Sequence, residues 1–167
     1  LKKQRDKCIQ RNYDFLFKLI KLALKTKIKF FKNDVYEQSQ RLNLNFGHTF
    51  AHAIEMSLKG KKTDLIRHGE AVGIGMLCEI YYSEERSVIF HKIKEILRLY
   101  NLPENLLSFK IKKDNGLKKR IFNNIFLDKK KIGKYPRIIK INKIGKSKII
   151  EMKNNKKIKD TINKVLF

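Results

Sequence analysis

Two histidines four residues apart, His48 and His52, constrain this chain more than any other feature. They lie inside Arg41-Leu-Asn-Leu-Asn-Phe-Gly-His-Thr-Phe-Ala-His-Ala-Ile-Glu55. On a helix that spacing puts both rings on one face, one turn from each other. A third histidine, His68, follows a short polar stretch and opens His-Gly-Glu-Ala-Val-Gly-Ile-Gly-Met76. Three imidazoles converging in this way suggest a metal site or a proton-transfer site.

Periodicity along the rest of the chain predicts a mainly α, multihelical domain. Apolar residues Phe15, Leu16, Leu19, Ile20 and Ala23 recur at helical spacing and predict a helix over 12–32. A polar loop with Glu37 follows, then the histidine helix to about Leu58, where Gly60 and lysines give a stop. The next helix runs from His68 to Tyr82. Its Gly69, Ala71, Gly73 and Gly75 predict a face without bulk, open to close approach by a helix or ligand. Further helices are expected over 87–101, 116–127 and 156–166. Ile-rich stretches at 137–141 and 148–152 flank Asn142-Lys-Ile-Gly145 and read as a β-hairpin near the C-terminus.

The spacing of His48 and His52 leaves two chemistries open. Neutral imidazole is a good zinc ligand, and catalytic zinc keeps three protein ligands and one open position. A histidine on a helix is also commonly a hydrogen-bonded core residue. The metalloprotease pattern His-Glu-x-x-His is excluded, because Thr49 stands where the glutamate would be.

Composition narrows the partners. At 167 residues and 42% hydrophobic content the chain can bury one respectable core, here read as a single helical domain over 1–167. A net charge of +24 would ordinarily raise nucleic acid as a partner. Yet residues 41–86 carry 6 Lys and Arg against 6 Asp and Glu, whereas residues 105–167 carry 20 against 4. The excess lies outside the histidine segment and is mostly Lys among Ile, Asn and Phe, as an A+T-rich coding sequence would produce. With Trp absent and no aromatic stacking pattern, nucleic acid is not the expected partner. No run of eighteen apolar residues predicts a membrane span, and no signal peptide opens the chain. Cys8 and Cys78 fit no zinc or redox spacing, which points to a reducing compartment. The first residue, Leu1, suggests a fragment of a longer product.

Taken together, Arg41, Leu44, Asn45, Phe46, Gly47, His48, Thr49, Phe50, His52, Ala53, Ile54 and Glu55, then His68, Gly69, Glu70, Ala71, Val72, Gly75 and Met76, closely resemble the motif of the 3-dehydroquinate synthases. Lys27 and Glu37 stand at the family's lysine and acidic positions, and Asp128-Lys129-Lys130 resembles its late Asp-Lys-Lys. The resemblance covers most of residues 12–150, the family's C-terminal helical domain. It implies that His48 and His68 ligate zinc and that His52 and Glu37 serve as acid/base groups. Lys27, Arg41, Asn45 and one of Lys129 or Lys130 would hold the substrate, 3-deoxy-D-arabino-heptulosonate 7-phosphate. It further implies NAD as cofactor, a homodimer in the complete enzyme, a place in the shikimate pathway and a cytoplasmic location.

Three departures from the family pattern stand out. Ala51 replaces a glycine between the two histidines, and the segment from His48 to His68 is about three residues longer, through Lys59-Gly-Lys-Lys-Thr-Asp64. The family's nucleotide-binding N-terminal domain, with a glutamate that is the third zinc ligand, is not in this sequence. The expectation is half of an active site, completed by a nucleotide-binding half supplied elsewhere. The alternatives are a non-catalytic relic acting as a basic interaction module, and a related sugar-phosphate cyclase.

Overall fold

A computed structural model of the chain describes residues 4–59, 65–84, 87–127 and 134–167. Its helices are α1 (Arg5–Ile9), α2 (Tyr13–Asn33), α3 (His48–Leu58), α4 (His68–Glu84), α5 (Val88–Leu99), α6 (Asn115–Phe126) and α7 (Asn155–Val165). Strands β1 (Arg137–Lys143) and β2 (Lys146–Glu151) form an antiparallel hairpin between α6 and α7. This is the mainly α architecture with a small C-terminal hairpin that the sequence predicts.

Local chemistry starts most of the helices. Asn12, Ser87, Asp114 and Asn154 each accept a backbone N–H of the first turn of α2, α5, α6 and α7. The hairpin turns at Ile144-Gly145, where Gly145 takes φ +83°, a left-handed conformation that glycine adopts without strain. Two short 3-10 segments, Gln40–Asn45 and Leu106–Phe109, lie where the sequence pattern shows only loop.

The core forms where α3 packs on α4 and α6, with α7 closing over α4 and α6. Phe50, Ile54, Ile74, Leu77, Ile121, Ile125, Ile158 and Ile162 are all buried there. Each such side chain contributes about 1.5–3 kcal/mol by leaving water.

The predicted small-residue face of α4 proves to be two faces, because residues two apart on a helix diverge by about 200°. Gly73 faces α5, where an added Cβ would meet Leu97 at 3.1 Å. Gly75 faces α3, and an added Cβ would lie 2.0 Å from the Gly47 carbonyl oxygen. Gly69 meets nothing within 4 Å. The Ala51 side chain is fully buried in the core, while its backbone nitrogen borders the Gly75 contact.

Helix α2 behaves differently. Of its 21 residues only Phe15 is buried, so the apolar spacing that predicts the helix finds no covering surface among the described residues. No described helix is long and apolar enough to cross a membrane.

Candidate metal and substrate site

The histidine cluster is assembled by the α3–α4 contact. Gly47 takes φ +85° and turns the chain into α3, so that His48 is its first residue and His52 follows one turn later. His68 is the first residue of α4. The Gly47–Gly75 approach brings these helices together, and ring centroids then stand 5.6 Å apart for His48–His52, 5.3 Å for His48–His68 and 6.0 Å for His52–His68.

Those separations suit a shared ion. With Zn–N bonds of about 2.1 Å and tetrahedral angles, two ligating imidazoles hold their centroids about 5 Å apart. Glu55 lies three residues beyond His52 on the same face, and its Oε1 is 3.0 Å from His68 Nδ1. Donor atoms of His52, Glu55 and His68 all lie within 4.8 Å of one another. Two imidazole nitrogens and a carboxylate are donors that suit zinc and its first-row neighbours, with the His48 ring beside this group but not within it. The residues present fit a divalent cation.

A loop between α2 and α3 presents the polar candidates. The Asp34 carboxylate, just past the end of α2, accepts the N–H groups of Gln38 (2.8 Å), Ser39 (2.7 Å) and Arg41 (3.0 Å). The hydrogen bond from Gln38, reinforced by those from Ser39 and Arg41, holds the Asp34 pKa below its ordinary value against the opposing effect of burial. Within this knot Glu37 adopts φ +56°, an unfavourable conformation for a residue with a side chain. Its Oε1 accepts from Asn45 Nδ2, and its Oε2 is 3.8 Å from Arg41 Nη2. Arg41 also donates to the Val35 carbonyl and lies over the Phe31 ring, 4.2 Å from its centroid. It thus ties the α2 terminus down while facing the site.

Lys27, Glu37, Arg41, Asn45, His48 and His52 all line one open cleft of about 790 Å³. Across the histidine helix, Thr49, Arg137 and Ile139 help line a smaller recess of about 70 Å³ that also touches His48, His52 and Asn45. Of the residues picked out from the sequence, His68 joins through the ring cluster rather than the cleft. Asp128, Lys129 and Lys130 lie outside the described residues.

Three participants are missing from the sequence reading of the site. Glu55 could have been found by its spacing, at i+3 from His52. Asp34 could have been found as an acid followed by a polar turn, the pattern of an Asx-type hydrogen bond. Glu79 is an acid in an otherwise apolar helical run. It is fully buried, which pushes its carboxyl up to about 8 against the N–H groups of Ile139, Gly47 and Thr49, which favour the ionised form.

Comparison with known proteins identifies the family. The family model described as 3-dehydroquinate synthase C-terminal matches residues 1–131. The chain belongs to that family. The 3-dehydroquinate synthase of Thermodesulfovibrio yellowstonii is 37% identical over 149 residues, covering 87% of this chain and 39% of that protein. Among solved structures, a 2-deoxy-scyllo-inosose synthase complexed with carbaglucose-6-phosphate, NAD+ and Co2+ superposes with a TM-score of 0.71 at 22% identity, over 87% of this chain and 41% of its own. A 2-epi-5-epi-valiolone synthase from Streptomyces hygroscopicus with NAD+ and Zn2+ bound gives 0.69 at 15% identity, over 96% and 44%. These two share the fold. The chain spans about a third to two fifths of the length of the curated relatives it matches.

Proposed function

We propose that this chain is the metal- and substrate-binding part of a 3-dehydroquinate synthase, acting with a nucleotide-binding half to convert 3-deoxy-D-arabino-heptulosonate 7-phosphate to 3-dehydroquinate and phosphate in aromatic amino acid biosynthesis. The observation that carries this reading is the single cleft shared by Lys27, Glu37, Arg41, Asn45, His48 and His52, with His68 5.3 Å from His48. Relatives more than 30% identical bear the synthase name, which favours that substrate over those of the inosose and valiolone cyclases.

His48 and His68 are the proposed ligands of a divalent cation, with His52 beside them and Glu55 orienting His68. A carboxylate that accepts from one imidazole nitrogen fixes the tautomer and leaves the other nitrogen for metal. When bound, the cation supplies a Lewis acid and the nicotinamide of NAD a hydride acceptor, used and regenerated within one turnover. The chain's own residues do the rest. Lys27 and Arg41 hold the substrate's carboxylate and phosphate by charge-assisted hydrogen bonds, with Asn45 positioning a hydroxyl. His52 and Glu37 stand in the same cleft to take and return protons, and Asn45 keeps the Glu37 carboxylate aimed inward. Lys130 is the proposed further cation for the phosphate. The complete enzyme is proposed to be a cytoplasmic homodimer.

The test joins this chain to the nucleotide-binding half of the Thermodesulfovibrio relative and follows phosphate release. The joined protein should turn over, and the chain alone should not and should lose zinc readily to a chelator. His68→Ala should abolish activity, and Lys27→Ala should raise KM at least tenfold. A folded joined protein that binds NAD and metal yet releases no phosphate would refute the proposal and favour an interaction module.

A further inference from the structure

The histidine cluster depends on how the start of α3 is set against α4, and one buried side chain sits at that junction. Helix α3 begins after Gly47 with no side-chain cap of its own. The first N–H groups of a helix need acceptors, and here Gly47 and Thr49 are buried away from water. The neighbouring helix places a carboxyl beside them. Glu79 on α4, 0% exposed, accepts the Ile139 N–H of β1 at 3.0 Å, the one hydrogen bond of its carboxyl among the described residues, and lies near the N–H groups of Gly47 and Thr49. From the other side, Thr49 Oγ1 donates to the Arg137 carbonyl at 2.7 Å. His68, Gly75 and Glu79 fall at i, i+7 and i+11 on one face of α4, with the Gly75 contact one turn before Glu79.

We infer that Glu79 is a positioning residue for the histidine cluster: it ties α4 to the hairpin, which Thr49 in turn ties to the start of α3, and so sets the His48 ring against His68. Packing alone does not account for an acid here. Burying a carboxyl group costs free energy unless its oxygens are bonded, and Glu79 Oε1 has no hydrogen-bond partner among the described residues. A leucine would fill similar volume without that cost. What only the carboxyl offers is an acceptor at the point where three elements meet. A negative or polar group at a helix N-terminus also complements the helix dipole.

This role rests on the metal reading proposed above, and the experiment separates the two. Co2+ is titrated into the full chain as wild type, Glu79→Gln, Glu79→Asp and Glu79→Leu, reading affinity and the visible d–d spectrum. The imidazole proton NMR shifts of His48 and His68 are read in the metal-free proteins. Glu79→Gln keeps an acceptor and should stay within about threefold of wild type with an unchanged spectrum. Glu79→Leu should lose about 10–100-fold in affinity, the range typical of outer-shell changes, with an altered spectrum and a helical circular dichroism signal. Glu79→Asp draws the acceptor back by one methylene and should fall between them, which serves if the leucine variant does not fold. Wild-type affinity and spectrum in Glu79→Asp or Glu79→Leu would overturn the inference. If the wild type binds no Co2+, the metal reading fails. The histidine shifts then decide: movement in Glu79→Asp or Glu79→Leu but not Glu79→Gln supports the role, and shifts unmoved in every variant refute it.

Discussion

Helices α3 and α4 on one side and helix α2 on the other are all rich in apolar residues and have opposite fates. In α4 the residues from Ala71 to Tyr82 are mostly buried, and α3 lies on it closely enough that no Cβ fits at Gly75. In α2 the apolar side chains stand in solvent: Phe17 is 68% exposed and Leu22 62%. Helices α2 and α3 both line the cleft of the candidate site. The α3–α4 pair fixes the imidazoles in a packed frame, whereas α2 lays Lys27 along an open cleft and is anchored mainly at its ends, by Phe15 and by the Arg41–Phe31 stack. An apolar stripe states that a helix has a face to cover; it does not state what covers it. A contiguous exposed apolar surface commonly marks an interface. For a chain spanning about a third to two fifths of its curated relatives, the proposed nucleotide-binding half is the natural cover.

The comparison breaks most sharply at Gly75. Gly75→Ala places a methyl 2.0 Å from the Gly47 carbonyl oxygen, a backbone atom that no rotamer change can move. The helices must separate, with a loss of about 3 kcal/mol or more in urea unfolding, at the upper end for overpacking. Gly69→Ala meets nothing within 4 Å and should be neutral or gain about 0.5 kcal/mol through better helix propensity. Equal effects at the two positions would show that α3 and α4 are not in tight register.

A smaller effect lies in pH. Native Glu79 holds its proton up to about 8, against an ordinary value of 4.5, so between those values the folded chain binds more protons than the unfolded one. The stability from burying the neutral acid is complete below pH 4.5 and is lost as pH rises toward 8. Between pH 6 and 8 this amounts to a decline on the order of 2 kcal/mol. Glu79→Gln cannot ionise, so its urea midpoint should lack that part of the decline. Matching slopes in the two proteins would mean that Glu79 is already ionised in the fold.

The site was more legible in the sequence than the packing around it. His48, His52 and His68, with Lys27, Glu37, Arg41 and Asn45, could be named because a long motif carries them in register, and the structure gathers them at one place. Helix limits followed from apolar spacing to within a residue or two, as at α6, expected over 116–127 and found over Asn115–Phe126. The 3-10 segment Gln40–Asn45 was not legible, because it forms around the Asp34 carboxylate and not from any periodicity of its own. The two faces of the α4 glycines were hidden because which helix lies on which side is a tertiary fact. Glu55 and Glu79 were passed over for the same reason: their partners, His68 and Ile139, are 13 and 60 residues away.

The smallest expected effect tests the other side of the comparison. Phe17 and Leu24 are exposed on α2 and do not line the cleft, so Phe17→Ser and Leu24→Ser remove apolar surface that water already covers. In the chain alone each should change stability by less than about 0.5 kcal/mol, the usual range for a surface substitution away from packed features. Joined to a nucleotide-binding half that covers α2, the same changes should each cost about 1–2 kcal/mol, because the side chains then leave water on folding. The measurement is a pair of urea midpoints for each variant, chain alone and joined. A loss above about 1 kcal/mol in the chain alone would mean that α2 finds its cover within this sequence, and the contrast with α3 and α4 would disappear. No loss in either form would leave α2 bare in the complete protein too, and its apolar face would then need another partner, such as a second copy of the chain.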